Sequence, residues 1–148
     1  GHFDVKLTQK VDNVTDINEL MRMAEKTQNQ EIKGSIYYKI GTAVEKSEGI
    51  ESALNWYKKV LDISSGKDAY LSQYIIAKYY YDKGDYGPAY QNFMTLFYTY
   101  QNIFIKREES LYYAGVSAKK SGSINDANEM FSKLKSEYPG SKYIDKIE

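Results

Sequence analysis

Tyr38, Tyr74 and Tyr112 stand 36 and 38 residues apart in a chain that holds 16 tyrosines. A phenol offers a broad, rigid face and a hydrogen-bonding tip, the combination that recognition surfaces favour. One and two helical turns on from each lie Thr42 and Glu45, then Lys78 and Tyr81, then Val116 and Lys119. Residues at i, i+4 and i+7 share one face of a helix. Such a face suits gripping an extended segment or a helix of a partner more than it suits breaking bonds. A second reading has the three tyrosines brace neighbouring helices with their hydroxyls in water. In the run Tyr79-Tyr80-Tyr81 the side chains must diverge, and Tyr80 is expected in the core with Tyr81 on the binding face.

Groups that support catalysis are sparse. The absence of cysteine removes thiol nucleophiles, iron–sulfur clusters and cysteine zinc sites, and His2, the one histidine, reads as an added residue at the N-terminus. Glu108-Glu109 and the pair Asp82 and Asp85 are carboxylates close in sequence, but at these spacings they mark solvated helix ends. No phosphate-cradling glycine loop or metal-spaced histidine motif is present. The reading is a non-enzyme with no catalytic residue, no metal and no cofactor. Lysine plus arginine number 20 against 20 acidic residues, which argues against nucleic acid, since that partner needs a basic excess on one face. Lys106-Arg107 and Lys119-Lys120 are short basic pairs at helix ends.

The elements that must position these residues fit a chain of 148 residues, long enough for a core without disulfides or metal. The first residues lack the apolar run of a signal peptide. The longest uncharged stretch, Tyr86 to Ile105, has 20 residues but includes Pro88, Gln91, Asn92, Gln101 and Asn102, which hydrocarbon would penalise. It reads as a buried helix and loop, with no transmembrane span. An alternative keeps part of it, Tyr90, Phe97, Tyr98 and Phe104, as an exposed second contact surface.

A repeat underlies the spacing. Ala53, Ala89 and Ala127 are each followed four residues on by an aromatic ring, Tyr57, Phe93 and Phe131, and three further on by Val60, Leu96 and Leu134. Glu48-Gly49, Gly84-Asp85 and Gly122-Ser123 precede them, glycines supplying the positive φ that ends one helix before another starts. Upstream, Tyr37, Ile40, Gly41 and Val44 match Gln73, Ile76, Ala77 and Tyr80, then Leu111, Ala114, Gly115 and Ala118. The small residue in each set lies where a neighbouring helix must come close. Helices are expected near 15–29, 31–47, 50–63, 67–83, 86–101, 105–121, 123–138 and 141–147, with an irregular segment at 1–14.

These residues resemble the tetratricopeptide repeat, a helix-turn-helix unit of about 34 residues. The third unit carries the pattern in Leu111, Ala114-Gly115, Gly122-Ser123-Ile124, Ala127, Phe131, Leu134 and Pro139; the second has the fullest turn, Gly84-Asp85-Tyr86, and lacks the closing proline. The resemblance implies an all-α, right-handed solenoid of antiparallel helix pairs with about three repeats and flanking helices. It divides 15–148 into a half-repeat at 15–30, repeats at 31–66, 67–104 and 105–140, and a C-terminal capping segment at 141–148. In that family the first helix of each pair lines a concave groove, which would here gather Tyr38, Thr42, Tyr74, Lys78, Tyr81, Tyr112, Val116 and Lys119. Tyr38, Tyr74 and Tyr112 stand where the basic clamp of chaperone-tail binders would begin, so that ligand is not expected.

The ending Phe131-x-x-Leu134-x-x-x-Tyr138-Pro139-Gly140-Ser141-x-Tyr143 is similar to repeats of bacterial envelope members of the family, such as outer-membrane assembly lipoproteins and Tol-Pal coordinators. That likeness implies a periplasmic or outer-membrane-associated scaffold for a protein or peptide partner, with a cytoplasmic adaptor as the alternative. Two rival functions stay open, a glycan-binding helical-repeat module and an accessory domain of a larger enzyme. A homo-oligomer is compatible with all of them.

Overall fold

The computed structural model describes residues 2–148. They form eight α-helices, α1 (His2–Asn13), α2 (Ile17–Lys26), α3 (Gln30–Glu48), α4 (Ile50–Ile63), α5 (Lys67–Asp82), α6 (Tyr86–Thr99), α7 (Arg107–Lys120) and α8 (Ile124–Glu137), then a 3-10 turn at Ile144–Lys146. No strand occurs among the described residues. The chain is all-α. It divides into two compact units, residues 1–72 and 73–148, with the boundary inside α5.

In the first unit, polar caps start α2 and α3. Asp16 accepts a hydrogen bond from the Glu19 N–H at 2.9 Å to begin α2, and Asn29 accepts from the Ile32 N–H at 3.0 Å to begin α3. α2 and α1 both pack on α3, and α3 packs along α4. Residues equidistant from Gly49 meet across that last pair, so its helices run antiparallel. A Cβ on Gly41 would lie 2.9 Å from the Tyr57 ring, and one on Gly34 would lie 2.6 Å from the Ser64 hydroxyl. Leu20, Ile36, Ile40, Ala53, Tyr57 and Val60 are fully buried between these helices.

In the second unit, α6 and α8 each pack on α7. Gly84, at φ 78°, closes α5: its N–H donates to the Tyr81 carbonyl at 3.0 Å and the Asp85 N–H to Tyr80 at 2.9 Å. This paired capping needs the left-handed conformation that glycine adopts without strain. Gly122 repeats the arrangement after α7, at φ 86°. Pro88 lies in the first turn of α6, where no carbonyl waits for its missing N–H. The expected columns are buried here too: Ala89, Phe93 and Leu96 in α6, then Ala127, Phe131 and Leu134 in α8.

Polar groups link residues at a recurring separation. The Ser65 N–H donates to Glu31 at 3.0 Å, and the Ser35 hydroxyl to Asp68 at 2.7 Å, separations of 34 and 33 residues. In the second unit Tyr74 donates to Glu109, Tyr90 to Asp126 and Ser141 to Glu108, separations of 35, 36 and 33. Each bond joins residues 33 to 36 positions apart in the chain.

Four expectations need correction. The segment 1–14 is not irregular, since α1 covers His2–Asn13. Leu7, Val11 and Val14 recur at i, i+4 and i+7, and Val11 is buried, so a short apolar stripe holds this helix on α3. The segment 141–148 holds only the 3-10 turn, because the chain leaves α8 through Pro139-Gly140 and caps it within a few residues. Tyr80 is half-buried instead of being a core residue, its ring edge-on to Tyr79 at 5.3 Å. The uncharged stretch is buried on one side only: Phe93 and Leu96 are inside, whereas Tyr98 and Phe104 are 65% and 60% exposed. No helix among the described residues is long and apolar enough to cross a membrane.

Candidate binding clefts

Tyr38 and Thr42 lie on α3 one turn apart, and both line a cleft of about 280 Å³ within the first unit. Ser35 and Lys39 extend the same helical face, Asp68 contributes from the start of α5, and Thr8 and Val11 of α1 form the opposite wall. The Lys39 ammonium donates to the Val11 carbonyl at the end of α1, where a cation is favoured by the helix dipole. Tyr38 leans on Tyr57 at 5.8 Å between ring centroids, and Tyr57 donates to the Glu45 carboxylate at 2.7 Å. Burial, followed by that bond, pushes the Tyr57 phenol well above its usual range. Glu45 is thus engaged with the core aromatic column. The contribution of α1 was invisible to a reading that left 1–14 irregular; the face itself follows from stepping one turn back from Tyr38.

The second unit holds a larger cleft, about 430 Å³, lined by Tyr81, Tyr112, Val116 and Lys119 together with Tyr86, Lys120, Phe131, Lys146 and Glu148. Four of the residues read from helical spacing therefore converge. Tyr112, Val116 and Lys119 come from one face of α7, and Tyr81 from the last turn of α5. Tyr112 stacks on Tyr143 at 5.0 Å and 24°, and Tyr81 packs against Tyr113 at 4.6 Å and edge-on to Tyr86 at 5.8 Å. Burial, aided by the electron-rich neighbours Tyr112 and Tyr86, pushes the Tyr81 phenol up to about 12. Burial, then a hydrogen bond with Tyr143, raises Tyr113 as well. These phenols stay protonated at neutral pH and act as donors. Lys120 sits over the Tyr86 ring at 5.3 Å and Lys146 over Tyr143 at 5.5 Å, within range for cation–π attraction.

Tyr74 and Lys78 stand apart from this cleft. Tyr74 is only 6% exposed, and its hydroxyl is spent on Glu109 while Lys106 covers its ring. Burial and then the Glu109 bond hold its phenol far above the usual range. Tyr74 thus braces its neighbours, but with its hydroxyl on Glu109 and not in water as the bracing alternative expected. Lys78 pairs with Asp82 at 2.7 Å one turn along α5 and leans over Tyr113. Lys120, two turns on from Tyr112 along α7, shares its helical face and was legible from spacing, whereas Tyr86, at the start of α6, and Lys146, in the C-terminal segment, carry no helical period pointing at Tyr112.

The second surface separates in the same way. Phe97 and Tyr98 line a cleft of about 260 Å³ with Met94, Met130 and Arg107. Arg107 spans the rings of Phe97 and Phe104 at 5.6 and 5.5 Å and donates to both Glu137 carboxylate oxygens at 2.6 and 2.9 Å. That fork holds the Glu137 carboxyl below its ordinary range. Tyr90 turns away, donating to Asp126 and packing on Ala127 and Phe131.

Among the described residues no group of three or more histidine, cysteine or carboxylate side chains could hold a metal ion. What the geometry defines is an all-α protein with separate tyrosine-bearing clefts. No protein-family model, curated protein or solved structure matches the chain.

Proposed function

We propose that the chain is a non-catalytic scaffold of tetratricopeptide-like helix pairs that holds a segment of a partner protein. The observation carrying this reading is the convergence of Tyr81, Tyr112, Val116 and Lys119 on one open cleft. Rigid amphipathic rings beside an aliphatic side chain and an ammonium are the composition of a recognition site. The glycine-capped helix turns and the side-chain bonds at separations of 33 to 36 residues support stacked repeats. The Tyr38 and Thr42 cleft offers a second place for a partner in the first unit.

The test is affinity capture with the intact chain, followed by cross-linking mass spectrometry, alongside Tyr81→Ala/Tyr112→Ala and Tyr98→Ser/Phe104→Ser. A protein partner lost only from the first variant, with helicity retained, places the contact at the cleft. Loss only from the second moves it to the exposed Tyr98 and Phe104 surface. Capture of no protein by the intact chain overturns the scaffold reading.

A further inference from the structure

We infer that the larger cleft selects an acidic peptide segment, with carboxylates on either side of an apolar side chain. This rests on the scaffold reading and adds the chemistry of what is bound.

Charge gives the first argument. The lining contains three lysines, Lys119, Lys120 and Lys146, against one carboxylate residue, Glu148, in a protein whose net charge is zero. Lys119 is partly committed, since its ammonium donates to the Glu148 backbone carbonyl. Lys120 and Lys146 meet the rings of Tyr86 and Tyr143, and no carboxylate in the described structure pairs with either. An ammonium resting on a ring face keeps donors free, and a carboxylate arriving there would satisfy them. Partial screening by low-dielectric aromatic walls strengthens that attraction relative to open solvent.

The disposition of the rings gives the second argument, and it separates peptide from sugar. A glycan stacks on an open aromatic face. Here Tyr143 covers a face of Tyr112 and Lys120 lies over Tyr86, while Tyr81 is closed in by Tyr113. With one face of each of these rings occupied, their edges and hydroxyl tips are what they share for contact with a ligand. Protonated phenols donate hydrogen bonds to carboxylate and peptide carbonyl oxygens alike. Between them, Val116 and Phe131 supply an apolar patch for one side chain. The volume, about 430 Å³, lies in the range of preformed ligand sites.

The experiment uses fluorescein-labelled nonapeptides with Asp or Glu flanking a central Leu or Phe, their Asn/Gln counterparts, and polygalacturonate as an acidic sugar polymer. Binding to the intact chain is followed by anisotropy and by competition. The proposal expects acidic peptides to bind at least about tenfold more tightly than the amide counterparts. It also expects Lys120→Glu/Lys146→Glu to lose about tenfold or more in affinity with an unchanged thermal transition. Both lysines are exposed, so that variant leaves the core intact. Equal binding of acidic and amide peptides, no peptide binding, unchanged affinity in the lysine variant, or binding of polygalacturonate alone each overturns the inference. A partner captured equally by the intact chain and by Lys120→Glu/Lys146→Glu, yet lost from Tyr98→Ser/Phe104→Ser, overturns it while leaving the scaffold reading in place.

Discussion

The ring of Phe131 fills the space that a Cβ on Gly115 would need, with ring atoms Cδ1 and Cζ 2.6 and 2.8 Å from that position. Glycine in a helix costs about 1 kcal/mol relative to alanine, so its place in the middle of α7 requires a packing return. The return is the approach of α8, whose Phe131 and Ala127 bury against Ala118.

Gly115→Ala tests that balance. Overpacking a filled core costs about 1–3 kcal/mol, more than the propensity gained. Urea denaturation should show a net loss of up to about 2 kcal/mol, and Gly41→Ala a smaller one, because its Cβ would meet the Tyr57 ring at 2.9 Å. A Gly115→Ala chain more stable than the parent would sink the close-approach explanation.

The same contact shows how much the sequence revealed. Gly41, Ala77 and Gly115 were legible as a small column, and Tyr57, Phe93 and Phe131 as a ring column, because one hydrophobic period encodes both. That these columns press on each other needs the hairpin geometry. Helix α1 was missed, since four apolar residues in 12, Phe3, Val5, Leu7 and Val11, give a weak period that only burial on α3 makes decisive. That Tyr74 and Lys78 would stand apart from the clefts was similarly beyond reach. Tyr74 and Tyr112 occupy equivalent positions in sequence, but Glu109 draws in the hydroxyl of Tyr74 whereas Tyr112 stacks on Tyr143 and borders the cleft. Which tyrosine is open is decided by its neighbours, not by its phase.

Tyr74→Phe separates bracing from binding. Hydrogen bonds to charged groups contribute about 1.5–3 kcal/mol, and this change removes the donor to Glu109 without altering the ring. Stability should fall by about 1–3 kcal/mol while partner capture persists. Loss of the partner at unchanged stability would return Tyr74 to the binding face.

Alkaline pH should unfold the protein through its tyrosines. Tyr57, Tyr74, Tyr81 and Tyr113 all have folded values raised above the ordinary 10.0, chiefly by burial. A raised folded value means the unfolded chain releases its proton first, so the contribution is complete below pH 10 and is lost as pH climbs toward the folded value. For Tyr81 that window runs from 10.0 to about 12. Stability measured by urea denaturation should be level from pH 7 to about 9 and fall steeply beyond about 10. Tyr57→Phe and Tyr74→Phe should each flatten the fall. Phenolate absorbance that rises at pH 10 for every tyrosine, with the helices intact, would contradict this.

Ser117 offers a change in the opposite direction. Its hydroxyl, like those of Ser72 and Ser110, is buried with no hydrogen-bond partner. An unpaired buried polar group costs about 1–3 kcal/mol, and serine is a poorer helix former than alanine by a few tenths of a kcal/mol. Both terms favour alanine, which occupies nearly the same volume, so Ser117→Ala should raise stability by about 0.5–2 kcal/mol. Ser110→Ala, also in α7 and fully buried, should behave alike. The two sites lie two helical turns apart and share no hydrogen bond, so their effects should add. Thermal unfolding of the single and double variants checks this, and a destabilised Ser117→Ala would mean that the hydroxyl has a partner, such as a buried water, that holds α7 in place.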